Sequence, residues 1–94
     1  MVQDSVFVSV IIPSQNRRNV LRQTLDALAQ QTYPPEQFEV VVVLDGCTDG
    51  SAEMLREYAA PFSLRTITQG QAGAGTARNR GASEAKGGLL IFLD

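Results

Sequence analysis

Three of the aspartates, one arginine and a few amides hold most of the chemistry this sequence can offer. Asp45 closes the run "VVVVLDG", Asp49 follows in "CTDGS", and Asp94 stands after "LLIFL". Arg78 and Asn79 lie in "GAGTARNRG", and Pro13, Ser14, Gln15 and Asn16 form "PSQN". A carboxylate at a strand tip can accept hydrogen bonds from a bound base, but an aspartate before glycine is also ordinary turn chemistry. Both readings stand for Asp45. Asp49, just ahead of a helix, reads as a cap. Asp94 is either a plain terminus or a candidate ligand for Mg²⁺ or Mn²⁺, which take oxygen donors. Glycines before a helix let the backbone approach a ligand, and a helix N-terminus favours anions. Arg78 could add charge there, although a solvated surface arginine is its default reading. The glycine loop lacks the third glycine of a dinucleotide fingerprint and follows the wrong strand for one.

The elements that must position these residues alternate strictly. "VFVSVII" (Val6 to Ile12) is β-branched and reads as a central strand that Pro13 stops. Leu21, Leu25 and Leu28 make one stripe of a helix over residues 18–31, capped by Asn16 or Asn19 and ended by "YPP". "FEVVVVL" (Phe38 to Leu44) is a second buried strand, followed by a helix over 51–60 with Ser51 or Thr48 as cap. "SLRTIT" alternates like a half-exposed edge strand. A third helix from Thr76 to Lys86 places Ala77, Gly81 and Ala85 on one face, and Leu89 to Leu93 reads as a strand buried on both faces. The fold class is α/β: a Rossmann-like, three-layer βαβαβαβ half-domain with a parallel sheet in the order 3-2-1-4. The order reverses between the first and fourth strands. A crevice then opens at their C-terminal ends, where "PSQN", "DGCTDG", the start of the third helix and Asp94 converge.

Composition sets outer limits. Ninety-four residues make one small domain, and a hydrophobic share of 44% suits a packed core. A net charge of −2 without a basic block argues against nucleic acid as a partner. The chain has no histidine, which removes Ser-His-Asp and Cys-His catalysis and histidine metal sites from it. One cysteine, Cys47, gives no intrachain disulfide and suggests a reducing compartment. No signal peptide or membrane-spanning run is legible. The expected location is cytoplasmic, with membrane association through a longer parent protein left open.

Together, "VSVIIPSQN", "QTYPPEQFEVVVVLDGCTDGS", "GAGTARNRGASEAKG" and "LLIFLD" resemble, in order and spacing, family 2 glycosyltransferases of the GT-A fold, over residues 8–94. The resemblance implies that Pro13, Ser14 and Asn16 line a nucleotide pocket, that Asp45 binds the base, and that Arg78 and Asn79 support it. It makes Asp94 the opening aspartate of an Asp-x-Asp motif for a divalent cation, Mg²⁺ or Mn²⁺. The partner implied is a nucleoside diphosphate sugar, a UDP-sugar first, and the reaction an inverting transfer to an acceptor. The second metal aspartate, the acceptor site and the carboxylate base are expected beyond residue 94. No catalytic residue is therefore expected within the chain, and residues 1–94 read as one truncated nucleotide-sugar-binding subdomain, inactive alone. The sequence departs from the family pattern at Leu44, where a second acid is common, at Gln15, where an aromatic is common, and at Cys47, where serine is. A non-catalytic α/β nucleotide-binding or regulatory module is the alternative, although "PSQN" lacks the acids of a receiver domain. Self-association through the edge of the fourth strand is a further expectation.

Overall fold

The computed structural model describes residues 6–93. Its strands are β1 (Val8–Ser14), β2 (Phe38–Asp45), β3 (Ser63–Gln69) and β4 (Leu89–Phe92); its helices are α1 (Arg18–Ala29), α2 (Ser51–Glu57) and α3 (Ala74–Glu84). A 3₁₀ turn, Pro35–Gln37, precedes β2. All strand pairs are parallel, in the expected order β3-β2-β1-β4. β2 is buried along its whole length, because its valines meet helices on both faces. On one face Val8, Val10, Ile12, Val40, Val42 and Leu44 pack with Leu21 and Leu25 of α1 and Leu55 of α2. On the other, Ile11, Val41 and Val43 pack with Ala77 of α3.

The small-residue face of α3 works as expected. A Cβ at Gly81 would lie 2.5 Å from Ile11 Cγ2 and 3.2 Å from Val43 Cγ2, so glycine is what allows the helix this close to the sheet. The half-exposed β3 also follows its alternation.

Two expectations are corrected. Pro13 does not stop the first strand, which runs on to Ser14. Leu93 N donates to Ile11 O on the β4 side, and Pro13, two residues further, faces that side beyond the last β1–β4 pair, Ile11↔Phe92. Its missing N–H therefore removes no bond to β2. β4, expected to be buried on both faces, has all four residues exposed, from Leu90 at 36% to Leu89 at 51%. An apolar run reports that a strand is destined for cover; α1 and α3 sit over β1 and β2 and leave the edge strand bare. The helices also end earlier than their sequence patterns, at Ala29, Glu57 and Glu84.

The lower end of the α3 face holds a polar knot. Glu39, 2% exposed, accepts from Ser9 Oγ (2.6 Å), Lys86 N (2.8 Å) and Arg65 Nε (3.1 Å). Ser9 Oγ in turn accepts from Gly87 N at 2.8 Å, and Arg65 also donates to the Glu84 carbonyl. Burial alone pushes Glu39 up, but the bonds from Ser9, Lys86 N–H and Arg65 outweigh it and hold the carboxyl below its usual range. A depressed folded value means that this stabilisation is present above the unfolded-state value and is lost as pH falls through the folded one. Glu39→Gln is expected to cost about 2–3 kcal/mol at pH 7, since it removes the buried carboxylate 3.1 Å from Arg65 and leaves that guanidinium only the longer, 3.9 Å contact with the exposed Glu84. Urea unfolding should show the gap between wild type and variant narrowing as pH falls below the ordinary glutamate range; a gap independent of pH would contradict this account.

Candidate functional site

The crevice at the sheet's C-terminal edge is built from two loops tied together and a third clamped from below. Asn16 takes a left-handed φ of +50°, which brings its side chain across to the β2–α2 loop. Its Oδ1 accepts from Thr48 N at 2.7 Å, its own N–H donates to Cys47 Sγ at 3.3 Å, and that thiol donates to Ser14 O at 3.3 Å. Asp49 completes the tie: Oδ2 accepts from Arg18 N (2.9 Å), and Oδ1 accepts from Ser51 N (3.1 Å) and Ser51 Oγ (2.6 Å). One carboxylate thus serves the starting turns of both α1 and α2, where the helix dipoles favour negative charge. The Ser51 hydroxyl first, and then the Arg18 and Ser51 N–H groups, hold Asp49 below the usual carboxylate range against burial, which opposes them. This replaces the expected local caps. Arg17 and Gly50 occupy the N-cap positions without side-chain bonds, and Asn16, Asn19, Thr48 and Ser51 cap neither helix. The capping reading of Asp49 stands, with a second helix added that only tertiary contact supplies.

Asp45 ends β2 opposite Gln69, the last residue of β3. Its carboxylate, in a residue 3% exposed, reaches into the glycine loop: Oδ1 accepts from Gln69 Nε2 (3.1 Å) and Ala72 N (2.7 Å), and Oδ2 from Gly73 N (3.0 Å). The Gln69 amide and the Ala72 N–H, then the Gly73 N–H, hold its carboxyl below the usual range despite burial. Gly46, at φ +69°, passes so close to the loop that a Cβ there would lie 2.9 Å from Gln71 Cβ. Asp45 is therefore both a turn residue and a hydrogen-bonding carboxylate. Its partners belong to its own chain.

Above these loops opens a cleft of about 440 Å³ at the C-terminal ends of β1 and β2. Pro13, Ser14, Gln15, Asp45, Ala77 and Arg78 are among its lining residues, with the first turns of α1 and Leu93 on the far side. Ser14 Oγ is buried and is the one such side-chain atom left without a hydrogen-bond partner among the described residues. Of the sequence-predicted site residues, the cleft gathers Pro13, Ser14, Asp45 and Arg78. Asn16 lies behind it as a loop tie, and Asn79 is exposed on α3 outside the lining. Asp94 lies outside the described residues. Arg17 and Gln69 were not foreseen; the signal for Gln69 was its place at the end of a strand pairing with the one that carries Asp45. For a divalent cation the fit is poor among the described residues. They hold no group of three or more metal-ligating side chains, and Asp45 and Asp49 already accept bonds from their own loops.

Comparison with known proteins is decisive for the family. The family model for glycosyl transferase family 2 matches residues 9–94, and the chain belongs to that family. It is 39% identical to the glycosyltransferase AglE of Haloferax volcanii over 90 residues, which is 94% of this chain and 30% of that protein. It is 44% identical to validoxylamine A glucosyltransferase of Streptomyces hygroscopicus subsp. limoneus, covering 93% of this chain and 20% of that one. Among solved structures, S. aureus TarS in complex with UDP-GlcNAc superposes with a TM-score of 0.87 at 32% identity, over 93% of this chain and 26% of that one. The mannosyltransferase PcManGT of Pyrobaculum calidifontis, in complex with GDP-Man and Mn²⁺, gives 0.86 at 30%, with the same coverage. The chain thus spans less than a third of each of these proteins.

Asp49→Ala is expected to lower stability by about 1–2 kcal/mol, the scale of a lost helix cap. The backbone amides of Arg18 and Ser51 should lose hydrogen-exchange protection together. Loss at Ser51 alone would show that the carboxylate serves one helix only.

Proposed function

We propose that this cleft holds the nucleotide of a nucleoside diphosphate sugar, and that the chain is the nucleotide-binding part of an inverting, divalent-cation-dependent glycosyltransferase. The observation that carries the reading is the convergence of Ser14, Asp45 and Arg78 on one concave site where the strand order reverses, with the buried Ser14 hydroxyl lacking a partner among the described residues. Pro13 and Ser14 form the floor, and the Arg78 guanidinium supplies positive charge at the wall. Asn16 acts by fixing the floor loop, and Asn79 joins the set by resemblance. UDP-GlcNAc, UDP and GDP-Man in similar structures support this class of ligand.

The Mn²⁺ in a similar structure supports a divalent cation for this class of enzyme; the family resemblance alone assigns it to Asp94. The described residues do not themselves compose such a site. The part of this chain in the reaction is to bind and orient the donor. Deprotonation of the acceptor is assigned to residues outside it, and the 94-residue chain is expected to bind without transferring sugar.

Calorimetric titration with UDP-, GDP- and dTDP-sugars, with and without Mn²⁺, tests the reading. Binding is expected, strongest for a UDP-sugar, and Arg78→Ala should weaken it by roughly tenfold, the scale of one charge-assisted hydrogen bond. No binding to any of them overturns the proposal, and sugar transfer by the chain alone overturns its inactivity.

Self-association through β4 belongs to the same proposal. The strand exposes Leu89, Leu90, Ile91 and Phe92 with no charge or proline among them, which is an unguarded sheet edge. Sedimentation is expected to show a dimer that Leu90→Lys disperses; a monomer at high concentration counts against it.

A further inference from the structure

The turn that leads out of β1 is closed by a sulfur atom. We propose that Cys47 is a positioning residue: its thiol fixes the Ser14–Gln15–Asn16 turn and so presents the Ser14 hydroxyl to the nucleotide. This rests on the nucleotide reading of the cleft. Cys47 Sγ accepts from Asn16 N and donates to Ser14 O, both at 3.3 Å. A thiol is one weak donor and a weak acceptor, and both capacities are used here. The two backbone groups it joins flank Gln15. Ser14 and Gln15 line the cleft, and Cys47 stands behind them, outside the lining. Ser14 Oγ is buried and has no hydrogen-bond partner among the described residues. A buried hydroxyl without a partner costs free energy, which a ligand that bonds it recovers.

The contribution of the sulfur is separable from the joining of the loops. Stronger bonds already tie the β1–α1 and β2–α2 loops: Thr48 N donates to Asn16 Oδ1 at 2.7 Å, and Arg18 N to Asp49 Oδ2 at 2.9 Å. Those ties grip Asn16 by its side chain and α1 by its first amide. Neither touches the backbone of Ser14 or Gln15. The β1–β2 pairing ends at Ser14↔Leu44, and Asn16 stands at φ +50°, so the chain leaves its extended path within two residues. The peptide groups on either side of Gln15 are then set by the sulfur, which bonds one oxygen and one N–H of the pair. A fault there shifts Ser14 and leaves the loops joined.

Calorimetry with UDP and GDP on Cys47→Ala, Ser14→Ala and the double variant tests this. For the nucleotide that the wild-type chain binds more tightly, each single substitution should weaken binding by about three- to tenfold, the range of one ordinary hydrogen bond. The double variant should bind no more weakly than the poorer of the two single variants, because Cys47 acts through Ser14. In Cys47→Ala the Asn16 amide should exchange faster while the Arg18 and Ser51 amides keep their protection. Losses that multiply in the double variant overturn the proposal. So does unchanged affinity in Cys47→Ala, or loss of protection at all three amides, either of which makes the thiol a structural tie only. A second measurement needs no variant. If the thiol's bonds favour nucleotide binding, bound nucleotide must favour those bonds by the same factor. Cys47 is the sole cysteine, so iodoacetamide labels one site. Its alkylation in the wild-type chain should slow by about three- to tenfold at saturating nucleotide, since the sulfur must leave Ser14 O to react as thiolate. An unchanged rate overturns the proposal even where Cys47→Ala does not fold. Failure of the wild-type chain to bind either nucleotide overturns the nucleotide reading instead, while exchange at Asn16 still decides whether the sulfur holds the turn.

Discussion

β2 carries a buried carboxylate at each end of its α3 face, and most of the structure's upper and lower rims depend on that pair. Glu39 accepts from Lys86 N just after α3, and Asp45 accepts from Ala72 N and Gly73 N just before it. Residues 39, 41, 43 and 45 point to one face by the two-residue period of a strand. Ionised groups therefore bracket the apolar Val41 and Val43, and α3 lies between them. A helix that packs through Ala77 and Gly81 has too little apolar area to fix its own position. Charge-assisted bonds to the backbone at both of its ends supply what packing does not. Buried carboxylates are tolerable here because nearly every acceptor site is filled.

The same economy of means shapes the crevice. Its loops carry no large apolar anchors; they are joined by side-chain-to-backbone bonds from Asn16, Cys47 and Asp49. Asn16 reaches its partner only from a left-handed backbone, a conformation asparagine enters at less cost than most residues. Residues that look like ligand contacts in a motif can thus be the ones that hold the loops. Among the described residues, the buried cleft group left without a partner is the Ser14 hydroxyl.

The sheet was legible because its signals are local: β-branched runs, alternation in "SLRTIT", and a glycine-marked small face on the third helix. Strand order followed from chain connectivity and the handedness of crossovers. The cleft's position followed from that order, and four of the predicted site residues do meet there. What sequence could not supply were the partners of each polar group. Asp45 reads equally as turn or ligand contact until Gln69, Ala72 and Gly73 are seen around it. Glu39 passed unnoticed in a run of valines, since its partners come from positions 9, 65 and 86.

Residue order alone determined the alternation of elements, the parallel sheet, the family, and which rim of the sheet gathers the polar loops, because each depends on periodicity or on short-range turn chemistry. Tertiary structure decided the exposure of β4, the passage of β1 through Pro13, and the division of Asn16, Asp45 and Asp49 between tying loops and lining a cleft. The physical reason is the same in each case. Burial and hydrogen-bond satisfaction are properties of a neighbourhood, and these neighbourhoods are assembled from segments more than 20 residues apart in the chain.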